Sequence, residues 1–439
     1  MKKIIYILVI TAMCGKLSAQ NDTLKLSFDQ AIQLGLANRF DVKGNHLNID
    51  LARNRLIKSN KELLPDLLAN GKMIYYGQLQ PSIIPAGYLG FTEPMKIAIG
   101  MKNNTSLALD LNYTIYKPGL YTDLKIASNN LLLEEERNNK TDIDIKVEIA
   151  EAYDDILLKS LQYEIVVKNE DRYKEYYYLT KGKYTSGAIL ESDMLLAELD
   201  YKNSIAATEK QKQDYMLSTE NLKYKINIPE QTVVILTDSL HSDEAVIGDV
   251  YSVDALTKRS EIKQLAIEQD GNELQLKKAK QNYLPSFSLF ANYTKFYQGP
   301  QFDYSNNFFW APVNYVGVKL SVPITGSIKN TNPVKEYKLK LAQTDFILKQ
   351  KTADILYEVQ ESFTRLNNAR KNLETAKANY LLSQKVYNLK KLQYDSGSFS
   401  YEKLLDTEKS LSATEQEYIS AVYSFLIAKI NYQKANGNY

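Results

Sequence analysis

Apolar positions along this chain follow two periods, and the two alternate in a fixed order. Leu107, Leu109, Leu111, Tyr113 and Ile115 are apolar, whereas Ala108, Asp110, Asn112 and Thr114 between them are small or polar; a period of two marks a strand with one apolar face. Val316, Val318, Leu320, Val322 and Ile324 repeat the pattern against Tyr315, Gly317, Lys319 and Ser321. Phe287, Leu289, Ala291 and Tyr293 make a third run, and 67–76 a rougher fourth. These predict four strands of about ten residues, paired around long loops at 79–103 and 298–312. Elsewhere the period is helical. The runs 119–184 and 334–394 contain no proline, and in the second Leu366, Leu373, Tyr380, Tyr387 and Tyr394 recur every seven residues. In the first, Ile143, Val147, Ala150, Leu157 and Leu161 step by three, four and seven. Both predict coiled-coil seams, and a helix spanning 119–184 is roughly 100 Å long at about 1.5 Å per residue. Gly187 and Gly397 stand where a glycine ends a helix, and shorter helices over 190–225 and 400–435 run back antiparallel.

The alternation is a tandem repeat. Tyr184-Thr185-Ser186-Gly187 returns 210 residues later as Tyr394-Asp395-Ser396-Gly397, and the same offset pairs Glu151 with Glu361, Tyr153 with Phe363, Leu195 with Leu405 and Glu198 with Glu408. Upstream, an offset of 220 pairs Arg39 with Arg259, Asp41 with Glu261 and Leu64-Pro65 with Leu284-Pro285. Each Leu-Pro closes an opening helix, since proline cannot continue one and biases its predecessor away from it. The expected organisation is a first repeat at 20–228, a connector at 229–250 without counterpart, and a second repeat at 251–439.

The fold class that follows is mainly α with a small β part. Helices of this length pack lengthwise against neighbours rather than around one compact core. The strands have the length and alternation of outer-membrane barrel strands. Four cannot close a barrel when the smallest have about eight, and an open edge in lipid leaves backbone groups unpaired. The strands must be shared among chains. Two copies supply eight and three supply twelve, and arithmetic alone does not choose.

Composition narrows the function further. Lys2 and Lys3 precede the apolar run 4–10, and Leu17-Ser18-Ala19 places a small residue before Gln20; 1–19 reads as a secretory signal peptide. Cys14 as a lipidation site is the alternative, disfavoured by the bulky Met13. Removal of Lys2, Lys3 and Lys16 takes the net charge from +2 to −1, so nothing chain-wide attracts nucleic acid. Two histidines and Cys14 alone offer no basis for a metal site or cofactor. His46 and His241 fall at non-equivalent places, and Glu134-Glu135-Glu136 reads as a solvated helix face, so an enzyme is not expected. A secreted coiled-coil structural or adhesive protein remains an alternative; it accounts for the helices but not for four alternating strands. The chain holds 33 tyrosines against 13 phenylalanines. They divide between the helix seams and the strand loops, where Tyr75, Tyr76, Tyr88, Phe296, Tyr297, Phe302, Tyr304, Phe308, Phe309 and Trp310 suit either an interfacial belt around an occluded mouth or loop-on-loop packing.

The order helix, Leu-Pro, strand, loop, strand, long helix, Tyr-x-Ser-Gly and returning helix, doubled across the chain, resembles the TolC-like outer-membrane efflux and secretion ducts. The resemblance implies a homotrimer with a shared twelve-stranded barrel in outer-membrane lipid and a periplasmic helical tunnel. It further implies docking to a periplasmic adaptor (membrane-fusion) protein and an inner-membrane pump. It also implies site residues. Asp406 matches a gate aspartate of the constriction, and Lys403 stands where the family has a second; an ordinary solvated face is the competing reading. Ser192 and Asp193 with Tyr394 match a latch between the two turns, although Tyr394 also lies in the heptad seam, and Phe399 replaces an arginine found in some members. The turns themselves, Ser186-Gly187 and Ser396-Gly397, are where the adaptor docks by resemblance.

Overall fold

The structure is a computed structural model that describes residues 23–87, 90, 92–238 and 254–439. The predicted signal peptide with Cys14, Tyr88, His241 and residues 239–250 of the connector lie outside the described residues. In chain order the elements are β1 (Thr23–Leu26), α1 (Phe28–Asn38), α2 (Phe40–Lys61), β2 (Asp66–Tyr75), β3 (Pro81–Ile84), β4 (Met95–Ala98), β5 (Asn103–Tyr116), α3 (Leu120–Thr185) and α4 (Glu191–Ile226). Then follow β6 (Val233–Leu236), α5 (Asp254–Lys258), α6 (Ser260–Gln281), β7 (Ser286–Gly299), β8 (Trp310–Ser321), α7 (Gly326–Lys329), α8 (Thr331–Asp395) and α9 (Tyr401–Ala435). The repeat is structural. Helices α2 and α6 have 22 residues each, α3 and α8 have 66 and 65, and α4 and α9 have 36 and 35. Helix α8 starts three residues before the predicted 334 and takes Pro333 into its first turn, where a proline removes no intrahelical donor.

The chain divides into two units. The first comprises residues up to 47, 136–264 and 349–439. Its core gathers Leu26, Ala31, Val42, Ile145, Ile149, Tyr153, Ile156, Leu222 and Ile226. Here the connector contributes a strand: β6 pairs in parallel with β1, Thr23 opposite Val233 through Leu26 opposite Leu236. Just beyond it the Asp238 carboxylate accepts from the Phe28 N–H at 2.8 Å, and the Tyr153 hydroxyl lies 2.8 Å from the same carboxylate. The seam drawn along α3 is also only part of its buried surface. Val147 and Ala150 are buried as that seam requires, but Ile145, Ile149, Tyr153 and Ile156 form a second, equally buried stripe. A stave with a neighbour on each side buries two stripes, not the single a/d stripe of a two-stranded coil.

Both repeats use one arginine to tie three helices. Arg39 pairs with Asp41 and with Glu148 of α3 at 3.1 Å, and donates to the Lys225 carbonyl near the end of α4 at 3.4 Å. Arg259 pairs with Glu261 and with Glu358 of α8 at 3.0 Å, and donates to the Ala435 carbonyl that ends α9 at 3.1 Å. In each case a cation meets the carbonyls that a helix C-terminus leaves without partners. The ion pairing holds the Asp41 and Glu261 carboxyls below their usual range; at Asp41 the Arg39 hydrogen bond is the largest cause, while at Glu261 it prevails over burial.

The second unit comprises residues 48–135 and 265–348. Its antiparallel sheet has the order β2-β5-β7-β8. Register places Leu67 and Ala69 of β2, Leu109 and Leu111 of β5, Ala291 and Tyr293 of β7 and Val316 and Val318 of β8 on one face. That face is apolar and open, with Val316 at 72% and Leu67 at 67% exposure. The other face is polar: the Asp110 carboxylate accepts from Asn70 and Asn292 of the flanking strands, both at 2.7 Å. On this face the Phe290 ring packs where Gly317 of β8 has no side chain; a Cβ there would lie 2.7 Å from the ring. The loop after β2 contains an unforeseen hairpin, β3 with β4. The loop after β7 folds on a buried Tyr297, whose ring centroid lies 5.0 Å from that of Tyr304 and 5.4 Å from that of Trp310. These aromatics therefore pack on one another, as one of the two expectations had it. No helix among the described residues is long and apolar enough to cross a membrane.

Candidate gate and docking turns

The two turns of the first unit share one geometry. At the end of α3 the Gly187 N–H donates to the Tyr184 carbonyl at 2.8 Å and the Ala188 N–H to the Lys183 carbonyl at 2.9 Å. At the end of α8 the Gly397 and Ser398 N–H groups donate to Tyr394 and Gln393 at 3.0 and 2.9 Å. This is the Schellman arrangement, which needs a left-handed residue at the glycine position; φ is 74° at Gly187 and 79° at Gly397. The serine has a reason too. Ser186 and Ser396 hydroxyls donate to the Lys183 and Gln393 carbonyls, both at 2.9 Å, so the Tyr-x-Ser-Gly repeat satisfies carbonyls that the helix end strands. Ser186, Gly187, Ser396 and Gly397 are all exposed, as a docking surface requires.

The gate candidates follow at once. Lys403 and Asp406 occupy the first and second turns of α9 and are both exposed. Among the described residues neither forms an ion pair. Between them and beside them, Leu404 and Leu405 are buried, so the turn presents two charges outward from an apolar seat. Tyr394 is buried with Tyr176, Tyr387, Leu404 and Leu411, which fits the seam reading. It also joins the turns in a way the sequence did not reveal. The Lys183 ammonium from the first turn lies 3.9 Å from the Tyr394 ring centroid, a cation–π contact of about 1 kcal/mol. Ser192 and Asp193 start α4, Ser192 exposed and Asp193 half-buried, with the Asp193 N–H donating to the Leu190 carbonyl at 3.2 Å.

A second group was invisible from the sequence. Arg172 of α3 pairs with Glu408 of α9 at 2.9 Å and with Glu415 at 3.5 Å, both carboxylates being buried. The Tyr176 and Tyr387 hydroxyls hydrogen-bond beside them. The 210 offset could have disclosed Glu148 and Glu358, which it pairs, but it maps Arg172 onto Leu382 and Glu415 onto Ile205, so repetition carries no signal for this cluster.

Paired helical hairpins of this length, with a sheet whose open face is apolar and whose other face is polar, define a subunit of an outer-membrane channel. Residues 252–438 match the family model described as outer membrane efflux protein. The outer membrane protein TolC of Escherichia coli (strain K12) is 22% identical over all of this chain and 87% of its own length. Nodulation protein T of Rhizobium leguminosarum bv. trifolii is 21% identical over 96% of this chain and 87% of its own. Among solved structures, CusC superposes with a TM-score of 0.75 at 17% identity, covering 96% of this chain and 94% of that one. The fold is that of these channels, and the second repeat, residues 252–438, matches the outer membrane efflux protein family.

Proposed function

We propose that three copies of the chain close one channel, with twelve strands forming the barrel in outer-membrane lipid and the long helices a periplasmic tunnel. The observation that carries this is the sheet. Its apolar face is open, and β2 and β8 are its edges, yet an unpaired edge in hydrocarbon costs several kcal/mol for each unsatisfied backbone group. The helices support the same assembly. Leu405 is buried, and Glu415 and Arg172 are buried or nearly so where α9 meets α3, whereas their repeat counterparts Leu195, Ile205 and Leu382 are exposed. A neighbouring copy that sets its α8 against this α4 restores the missing contact, and a contact of that head-to-tail kind closes into a ring.

Within that channel Asp406 and Lys403 ring the constriction, Tyr394 with Ser192 and Asp193 latches it, and the exposed Ser186-Gly187 and Ser396-Gly397 turns take the periplasmic adaptor that links the duct to an inner-membrane pump. The pairing of Lys183 with Tyr394 supports the latch, because it already joins the two turns within one chain. Single-channel recording tests the gate. Asp406→Ala is expected to change conductance or cation block, and unchanged values would remove it from the constriction. Tyr394→Phe is expected to raise the open fraction without a partner; an unaltered closed state counts against the latch.

A further inference from the structure

Buried charge sits on the helix that carries the candidate gate, on the side facing away from it. Glu408 is fully buried and Glu415, two turns further along α9, nearly so. Arg172 of α3 serves both: its Nε donates to Glu408 Oε1 at 3.0 Å and its Nη2 lies 3.5 Å from Glu415 Oε2. Asn169, one turn earlier, donates to Glu415 at 3.2 Å and accepts from Arg172. The second oxygen of Glu408 has no hydrogen-bond partner among the described residues. Such a cluster contributes little net stability, because desolvation offsets attraction, but it fits in one arrangement and punishes any other. Glu408 follows Asp406 by two residues and Lys403 by five, which at about 100° per residue puts it on the face opposite theirs. The first repeat has no such cluster. There the counterpart Glu198 pairs with Lys202 of its own helix at 2.7 Å, and Leu382 and Ile205 replace the arginine and second glutamate.

We propose that Arg172, through Glu408 and Glu415, is the positioning residue that fixes the rotation and register of α9, and so holds Lys403 and Asp406 in the closed constriction. The inference rests on the gate reading of those two residues. It brings a pH dependence. The groups around Glu408 are Arg172, Tyr173 and Tyr176 of α3, Tyr387 of α8 and Glu415 of α9, with Asp200 of α4 acting on Tyr173. Burial pushes the Glu408 carboxyl up, against the pull of Arg172. A state that keeps it buried therefore binds a proton more readily than one that hydrates it, and acidification favours the clamped, closed form.

Wild type, Arg172→Met, Arg172→Lys and Glu408→Gln are compared in planar bilayers across pH, with Asp406→Ala alongside. Arg172→Met is expected to raise conductance several-fold, and Arg172→Lys to restore most of the closed behaviour. In wild type, conduction falls as pH drops from neutral toward 4.5, the ordinary glutamate value, and Glu408→Gln flattens that part of the response. If Arg172→Met does not assemble, the near-isosteric Glu408→Gln decides: a flattened profile supports the clamp and an unchanged one overturns it. Wild-type behaviour in Arg172→Met and Glu408→Gln, while Asp406→Ala alters conductance, overturns the clamp alone. An inert Asp406→Ala overturns the gate reading and the clamp with it.

Discussion

Glu198 and Glu408 occupy the same position in two copies of one unit and live in different surroundings. The first is partly exposed and pairs with Lys202 one turn along its own helix; the second has no exposed side-chain surface and meets Arg172 of another helix. Asp154 and Thr364 differ in the same way. Asp154 is desolvated in the helical unit, with its carboxyl pushed up to about 6 by burial despite Lys429, while the Thr364 hydroxyl donates to the Gln360 carbonyl of its own helix. The turns and the arginine ties, by contrast, are the same in both copies. Backbone geometry and the arginine ties are what the repeats share, and the buried carboxylates Glu408 and Asp154 mark where one copy departs from the other.

Four tests bear on that contrast. Arg172→Ala strands two buried carboxylates and is expected to lower stability by about 3–5 kcal/mol, whereas Leu382→Ala at the counterpart position costs little in an isolated chain; denaturant unfolding of detergent-extracted protein compares them. Asp154→Asn is expected to stabilise by about 2 kcal/mol at neutral pH. The sign follows from its raised pKa. The carboxyl adds to stability while protonated and loses that contribution as pH rises through about 6, so the gain from Asn vanishes near pH 4, where unfolding of both proteins is measured again. Gly187→Ala and Gly397→Ala each force a side chain into a left-handed conformation and are expected to cost about 1 kcal/mol, equally at both turns; unequal melting shifts would break the equivalence. Glu198→Ala is expected to leave the melting temperature unchanged, where Glu408→Ala lowers it.

Much of this architecture is legible in the order of residues alone, because period and punctuation are local. The alternation at 107–115 lies inside β5 (Asn103–Tyr116), and the proline-free run 119–184 is α3 (Leu120–Thr185) within a residue at each end. Gly187 and Gly397 sit at the turns, where a positive φ favours glycine. What stayed hidden depended on long-range pairing. Strand β6 has four residues, too few for a period to register, and gains its identity from β1 more than 200 residues earlier. Asp238 meets Tyr153, and Lys183 meets Tyr394, only in space. The Arg172 cluster breaks the repeat, so the comparison that exposed the rest of the architecture concealed it.

The central claim is that the four strands of one chain are a fraction of a barrel closed by other copies. Pairing of the edge strands tests it most directly. With Cys14 the only natural cysteine, one cysteine is placed on β2 and one on β8 of the same chain, in a set of positions that scans the register, and the membrane-extracted protein is oxidised. For one register, a covalent ladder on denaturing gels that ends at three chains is expected. Uncrosslinked chains in every register, or a ladder that stops at two, would contradict the claim.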